Sequence, residues 1–231
     1  MVNMMRVNVS FMKEFRELLL ADIVLTFAFA AVIIGGVFGT GNASGMSFVY
    51  VLPMAFVAVS LTFVLHELMH KFVAERYGAI AAFRASRTGL IITLASGFFG
   101  FLIGIPGATV IYANNFTKKE NGLVSIAGPL TNFAIFGLFF VIMMFVNPKS
   151  YIGELASLTM FISIILAFFN MLPIYPLDGS KVLLWNPAVY GITMLVIFTL
   201  LIYVAGWGML FDIMFMFIIA LLFSMSYRRL F

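Results

Sequence analysis

The chain has 231 residues, of which 64% are hydrophobic and 10% are charged. A soluble domain usually carries about a quarter charged residues, so this composition excludes an ordinary globular surface and indicates a membrane protein. The net charge of +4 comes from basic residues in short loops rather than from a basic helix, so no nucleic-acid partner is predicted. Because the chain has no cysteine, any metal must be held by His, Asp or Glu.

Six predominantly apolar segments have about the length that a helix needs to cross a bilayer. They cover residues 18–38, 47–73, 122–146, 153–172, 188–206 and 209–226. Alternating orientation puts Lys149 on one side of the membrane and the other basic residues on the opposite side, so the positive-inside bias predicts that both termini are cytoplasmic. We therefore predict an all-α polytopic protein of about six transmembrane helices, forming one membrane-embedded domain over residues 1–231.

Residues 80–117, between the second and third segments, are apolar but contain many helix-breaking residues. These are Gly89, Gly97, Gly100, Gly104, Pro106 and Gly107. Non-helical backbone at membrane depth survives only where protein or a water-filled cavity satisfies its polar groups. We predict a small, partly embedded strand or hairpin region here, with a pair of kinked half-helices as the alternative.

A metal-binding pattern lies in the second segment, where His66 and His70 flank Glu67 in a His-Glu-Leu-Met-His run. Residues four apart on a helix share one face, so both imidazoles can reach one ion about 2.0 to 2.1 Å from each nitrogen. Zinc at such a site lowers the pKa of a bound water to about 7 and polarises a carbonyl group. Glu67 lies beside the first ligand, where its carboxylate can act as the general base for amide hydrolysis.

A simpler interpretation of this run is a chance His-x-x-x-His pattern on an apolar helix. Against it, a charged group inside a membrane span costs at least about 2.5 kcal/mol, and ionisable residues at that depth are functional candidates by default. His66, Glu67 and His70 bring three ionisable groups together within a little over one helical turn. We therefore interpret the run as a metal site.

A catalytic zinc usually takes three protein ligands, and the chain has no third histidine. The acids that remain are Glu14, Glu17, Asp22, Glu75, Glu120, Glu154, Asp178 and Asp212. Glu154 and Asp212 are disfavoured, because they lie near the membrane face opposite the histidines. Asp178 follows Pro173 and Pro176, whose stiff turn can hold a carboxylate at a fixed depth, but an ordinary Asp-Gly turn fits this segment equally well.

Three sequence blocks together resemble the site-2 protease family of intramembrane zinc metalloproteases. The first block, His66 to Gly78, fits that family's H-E-x-x-H-x-x-x-A-x-x-x-G run. The second, Ala127 to Asn132, is similar to its Gly-Pro-Leu segment, and the third, Asn170 to Gly179, is similar to its Asn-x-x-Pro and Leu-Asp-Gly segment. The blocks keep the family's order, and the resemblance covers about residues 48–181, which would be the protease core.

The resemblance implies that Asp178 is the third ligand of one catalytic Zn2+, and that Asn170 lies close to the site and binds substrate. It also implies that the second, third and fourth spans are the core helices. Met69 and Ser180 replace glycines common in the family, and neither change removes a ligand or the base. No PDZ or CBS regulatory module is recognisable.

We therefore predict a zinc metalloendopeptidase in the lipid bilayer, with Glu67 as catalytic residue, that cuts transmembrane protein substrates within or near their membrane segments. Residues 80–117 would offer a strand edge for an unwound substrate. The alternative is a non-enzymatic membrane zinc-binding protein or transporter, which would need further ligands along a path through the bilayer. A purely structural scaffold would leave Glu67 without a role.

Overall fold

Most of the chain is helical in the computed structural model, which describes residues 10–36, 47–113 and 115–206. Its helices and strands are α1 Phe11–Ile33, α2 Phe48–Val59, α3 Leu65–Arg76, β1 Ile80–Ala85, α4 Arg87–Phe98, β2 Gly107–Tyr112, α5 Lys118–Met143, α6 Tyr151–Asn170, α7 Asp178–Trp185 and α8 Pro187–Gly206. A π-helical turn, Ser60–Val64, joins α2 to α3, so that together they form one helix of 29 residues.

Within the described ranges, four helices are long and apolar enough to cross a membrane, namely the joined α2–α3 helix, α5, α6 and α8. They coincide with the second to fifth predicted spans and support a helical membrane protein. The first predicted span, 18–38, falls on α1, which has 23 residues but a charged first half and a buried Asp22. Its crossing of the membrane stays a prediction, and the sixth predicted span, 209–226, lies outside the described residues.

The joined α2–α3 helix buries different faces along its length. The α2 half packs against α1 and α6, whereas the α3 half packs against α5 and the two strands. A π-helical turn accommodates one extra residue, which rotates the following helix relative to the preceding one. The turn at Ser60–Val64 therefore directs the face of α3 that carries His66 and His70 toward α5.

The strands β1 and β2 pair antiparallel, with Ile80 opposite Tyr112 and Ala85 opposite Gly107. This confirms the strand pair predicted within residues 80–117. The pair differs from a simple hairpin, because the 12-residue helix α4 lies between its strands. Gly97 does not break this helix but serves its close packing on α1, since a Cβ there would lie 2.7 Å from the Cα of Ala28.

Two apolar clusters hold the helices of the bundle together. The larger one joins α5, α6, α7 and α8 and includes the fully buried Ile164, Ile197 and Leu201. The second joins α1, α2, the π-helical turn, β1, α4 and α6, and includes the buried Phe83 of β1. Helix α6 contributes residues to both clusters. It therefore fixes the position of α7 relative to the strand pair.

Candidate metal centre

Three side chains that could hold a metal ion meet between α3 and the start of α7, two of them from α3 and one from a remote segment. His66 Nε2 and His70 Nε2 lie 3.0 Å apart. Asp178 Oδ2 lies 3.0 Å from His70 Nε2 and 3.5 Å from His66 Nε2. The structure thus brings together the two histidines predicted as ligands and the acid that the family resemblance implied.

The spacing and chemistry of these donors fit zinc. Ligand atoms of a tetrahedral zinc lie roughly 3.3 Å apart, and the observed separations of 3.0 to 3.5 Å bracket that value. Two imidazoles and one carboxylate form a typical catalytic set, which leaves a fourth coordination position open.

His70 is held in the tautomer that metal binding requires. Its Nδ1–H donates to the backbone oxygen of Val124 on α5 at 2.8 Å. With that proton on Nδ1, the lone pair of Nε2 faces the other two donors.

Helix α5 approaches the two histidines through a glycine. A Cβ at Gly128 would lie 2.5 Å from His70 Nε2 and 2.6 Å from His66 Nε2, closer than real contacts allow. The absent side chain therefore keeps open the space in which the two imidazoles meet. Asn132 lies one turn after Gly128 on the same helix face, so both residues of the Ala127–Asn132 block face the histidines.

Asn132 contacts the second ring nitrogen of His66. Its Nδ2 lies 3.3 Å from His66 Nδ1. The residue is fully buried, and its Oδ1 has no hydrogen-bond partner among the described residues. A half-turn of the amide exchanges these two atoms, and a metal-ligating imidazole normally donates its second N–H to an oxygen. Asn132 Oδ1 then accepts from His66 Nδ1–H, which leaves Nε2 for the metal.

The position of Asp178 depends on a tight junction between α6 and α7. Asp178 is the first residue of α7, and a Cβ on the following Gly179 would collide with the backbone oxygen of Met171 at the end of α6. On its outer side, Asp178 Oδ1 lies 3.6 Å from Lys181 Nζ. The predicted turn thus holds this carboxylate against α3, with a cation partly balancing its charge.

The predicted base Glu67 is anchored by β2. Glu67 Oε2 accepts hydrogen bonds from Thr109 N at 2.9 Å and from Thr109 Oγ1 at 2.8 Å. Glu67 is only 8% exposed, and no described residue donates to its Oε1. Sequence reasoning did not identify Thr109, because a contact between a strand and a distant helix leaves no local pattern.

The other candidate acids in the described ranges are engaged elsewhere. Their partners are Lys71 for Glu14 and Glu75, Ala85 N for Glu17, Ser60 for Asp22, Thr117 for Glu120 and Tyr50 for Glu154. Asp212 lies outside the described residues. The Asn170 amide donates to the backbone oxygen of Leu166 at 3.0 Å, so its predicted contact with substrate stays a prediction.

Curated proteins with similar sequences carry metalloprotease names. Over 160 residues, the chain is 41% identical to "Putative zinc metalloprotease MJ0611" of Methanocaldococcus jannaschii, which covers 69% of this chain and 84% of that protein. It is 30% identical over 155 residues to "Putative zinc metalloprotease YwhC" of Bacillus subtilis, covering 57% of this chain and 68% of that protein. It is also 29% identical over 131 residues to "Zinc metalloprotease MJ0392" of M. jannaschii, a match that covers 55% of this chain and 32% of that protein.

No family model and no solved structure matches the chain. The first two relatives are nevertheless covered over more than two thirds of their length at 30% identity or above. The geometry of His66, His70 and Asp178 fits the metal that their names state. The chain therefore belongs to the zinc metalloprotease family that these relatives represent, with Zn2+ as its cofactor.

Proposed function

We propose that this chain is an intramembrane protease of the site-2 type, which hydrolyses peptide bonds within or near the transmembrane segments of membrane proteins. One observation carries the proposal above all others. His66 and His70 are 1% and 6% exposed, and they lie on a helix long and apolar enough to cross a bilayer. A metalloprotease with two ligands on such a helix is suited to substrates that reach it through the membrane.

The residues of the site divide the work of amide hydrolysis among them. His66, His70 and Asp178 hold the zinc ion, which when bound activates a water at neutral pH and polarises the scissile carbonyl. Glu67 accepts the proton of the attacking water on Oε1 and passes it to the departing amine. Asn132 keeps His66 oriented throughout, as the backbone of α5 does for His70.

The edge of β2 is the surface on which an unwound substrate would add as a strand. In an antiparallel pair, every second residue directs its N–H and C=O away from the partner strand. Thr109 is such a residue, because its N–H donates to Glu67, and the N–H of the opposite residue, Phe83, donates outward to Glu14. By the same alternation, Ile111 directs both of its backbone groups toward an added strand.

The opposite edge of the sheet is closed to substrate. Glu14 accepts from the N–H of Phe83 at 3.2 Å, and Glu17 accepts from the N–H of Ala85 at 3.1 Å. Both carboxylates belong to α1, which therefore covers the outer edge of β1. A substrate strand is left with the edge of β2, which runs beside Glu67.

We place the site toward the cytoplasmic face, following the distribution of basic residues, and α4 with the loop after it partly in the membrane. The loop and helix expose large apolar side chains, with Ile91 69%, Phe101 46% and Ile105 49% exposed. Contact with lipid is favourable for such apolar surfaces, whereas contact with water would cost free energy. The strand edge would then lie at the depth where a transmembrane substrate frays.

The direct test is cleavage of a transmembrane substrate by the purified protein in liposomes. We expect the wild type to cleave it, and Glu67→Gln to lose cleavage while keeping one zinc per chain. Glu154→Gln is a matched control, because Glu154 bonds Tyr50 away from the site, and should cleave normally. Zinc transport without cleavage would favour the alternative of a non-enzymatic zinc protein. Cleavage of soluble peptides alone would contradict the intramembrane site.

A further inference from the structure

We propose that Thr109 is a positioning residue for Glu67, one that fixes one carboxylate oxygen and leaves the other as the proton acceptor. Thr109 N and Oγ1 both donate to Glu67 Oε2, at 2.9 and 2.8 Å. Thr109 Oγ1 also lies 3.2 Å from the backbone oxygen of Glu67. Among the described residues, Oε1 receives no hydrogen bond, so the two oxygens of this carboxylate have different environments.

The anchor is itself fixed in space on both sides. Thr109 lies opposite Phe83 in the strand pair, and the N–H of Phe83 donates to Glu14. Glu14 in turn accepts from Lys71 Nζ at 2.6 Å, and Lys71 lies on α3, one turn after Glu67. A closed circuit of contacts therefore runs from α3 through α1 and both strands back to α3, and it holds Thr109 at one place relative to the base.

A glutamate without such an anchor would sample several rotamers about its side-chain bonds. General base catalysis requires the acceptor oxygen within hydrogen-bond reach of the water that it deprotonates. Two hydrogen bonds to Oε2 restrict the carboxylate and so hold Oε1 at one position. The role of Thr109 is therefore orientation, and it requires no contact with zinc or with substrate side chains.

The same contact sets how a substrate strand would pair with β2, an inference that rests on the proposed function. Glu67 already occupies the outward N–H of Thr109, so an added strand cannot use that donor. An added strand would pair through both backbone groups of Ile111, but opposite Thr109 only the backbone oxygen of Thr109 would remain available to it. The substrate carbonyl that faces the occupied N–H of Thr109 would therefore lack a hydrogen bond, and it would lie beside Glu67.

The test compares Thr109→Val, which removes the hydroxyl but keeps the shape, with Thr109→Ser, which keeps the hydroxyl. We expect Thr109→Val to lower kcat on a liposomal transmembrane substrate between about tenfold and a hundredfold, with KM and bound zinc little changed. Thr109→Ser should recover most of that loss. Thr193→Val serves as control, because the Thr193 hydroxyl bonds only within α8, at Val189 O, and it should retain wild-type kcat.

Three results would overturn the inference: wild-type kcat in Thr109→Val, an equal loss in Thr109→Ser, or loss of zinc from Thr109→Val. Hydrogen exchange supplies an arm that does not depend on activity. Replacing Glu67 by Ala should speed exchange of the Thr109 amide, and an unchanged rate would refute the anchor. If the wild type cleaves no membrane substrate, the proposed function fails. The hydrogen-exchange measurement would still show whether Thr109 anchors Glu67.

Discussion

Asn132 and His66 form a buried pair between α5 and α3, with Asn132 Nδ2 3.3 Å from His66 Nδ1. Neither residue is more than 1% exposed, so water cannot replace the contact. The partner of a ligating imidazole fixes its tautomer and orientation, and losing such a partner typically costs 10- to 100-fold in metal affinity. The pair therefore predicts that the affinity for zinc depends on a residue that is not one of the three proposed ligands.

We expect Asn132→Leu to weaken zinc binding by roughly 10- to 100-fold, measured by competition with a chromophoric chelator. Asn132→Asp keeps an oxygen that accepts from His66 Nδ1–H, so it should bind zinc about as tightly as the wild type. Equal zinc affinity in the Leu variant and the wild type would show that the contact does not orient His66.

A second prediction concerns the glycine of α5 that faces the imidazoles. Gly128→Ala should abolish stoichiometric zinc binding, because the added methyl group would lie 2.5 Å from His70 Nε2. Gly137→Ala on the same helix is the matched control, since its Cβ would meet no atom within 4 Å. Elemental analysis of both purified variants gives the comparison. Normal zinc content in Gly128→Ala would mean that α5 moves away at little cost.

The third ligand can be tested separately from the histidines. Among the described residues, Asp178 has the only carboxylate grouped with both imidazoles within 4.8 Å. Asp178→Ala removes it, so zinc content after dialysis against a buffered chelator should fall well below one per chain. Glu154→Ala removes an acid bound to Tyr50 and should leave zinc content unchanged. Full zinc occupancy in Asp178→Ala would point to another ligand.

Glu14 should matter for stability far more than its neighbour Glu75, although both face Lys71. Glu14 is 5% exposed and lies 2.6 Å from Lys71 Nζ, whereas the Glu75 side chain is 49% exposed at 4.0 Å. Glu14→Gln breaks a largely buried ion pair and should lower the free energy of unfolding by about 1 to 3 kcal/mol. Glu75→Gln should change it by less than about 0.5 kcal/mol. Unfolding in detergent, followed by circular dichroism, measures both, and equal effects would contradict this ranking.

The histidines and Asp178 differ in how far sequence could predict them. His66 and His70 lie one helical turn apart, so their spacing alone fixes a shared direction. Asp178 is remote in sequence, and its own segment fits an ordinary turn equally well. Only the order of three blocks indicated it. Thr109 contacts Glu67 through the packing of β2, for which a single sequence contains no local signal. Asn132 belongs to the second of the three blocks, which indicated the segment but not its contact with His66.

The segment between the strands illustrates a second limit. Its glycines predicted interrupted structure, yet α4 forms because Ser86 caps its first turn, accepting from Gly89 N–H at 3.1 Å. Gly97 lies where α4 meets Ala28 of α1. A glycine that breaks a helix and a glycine that lets two helices approach look the same in a sequence. Only the packing partner distinguishes them.

Because of the π-helical turn at Ser60–Val64, the geometry of the metal site depends on the number of residues that precede His66 in the joined helix. Deleting one residue there would restore a regular α-helix and turn everything after it by about 100° about the helix axis. His66 and His70 would then point away from Gly128, although every ligand would still be present in the sequence. An intact motif is thus insufficient for zinc binding, because the phase of the helix that precedes it determines whether the two imidazoles meet Asp178.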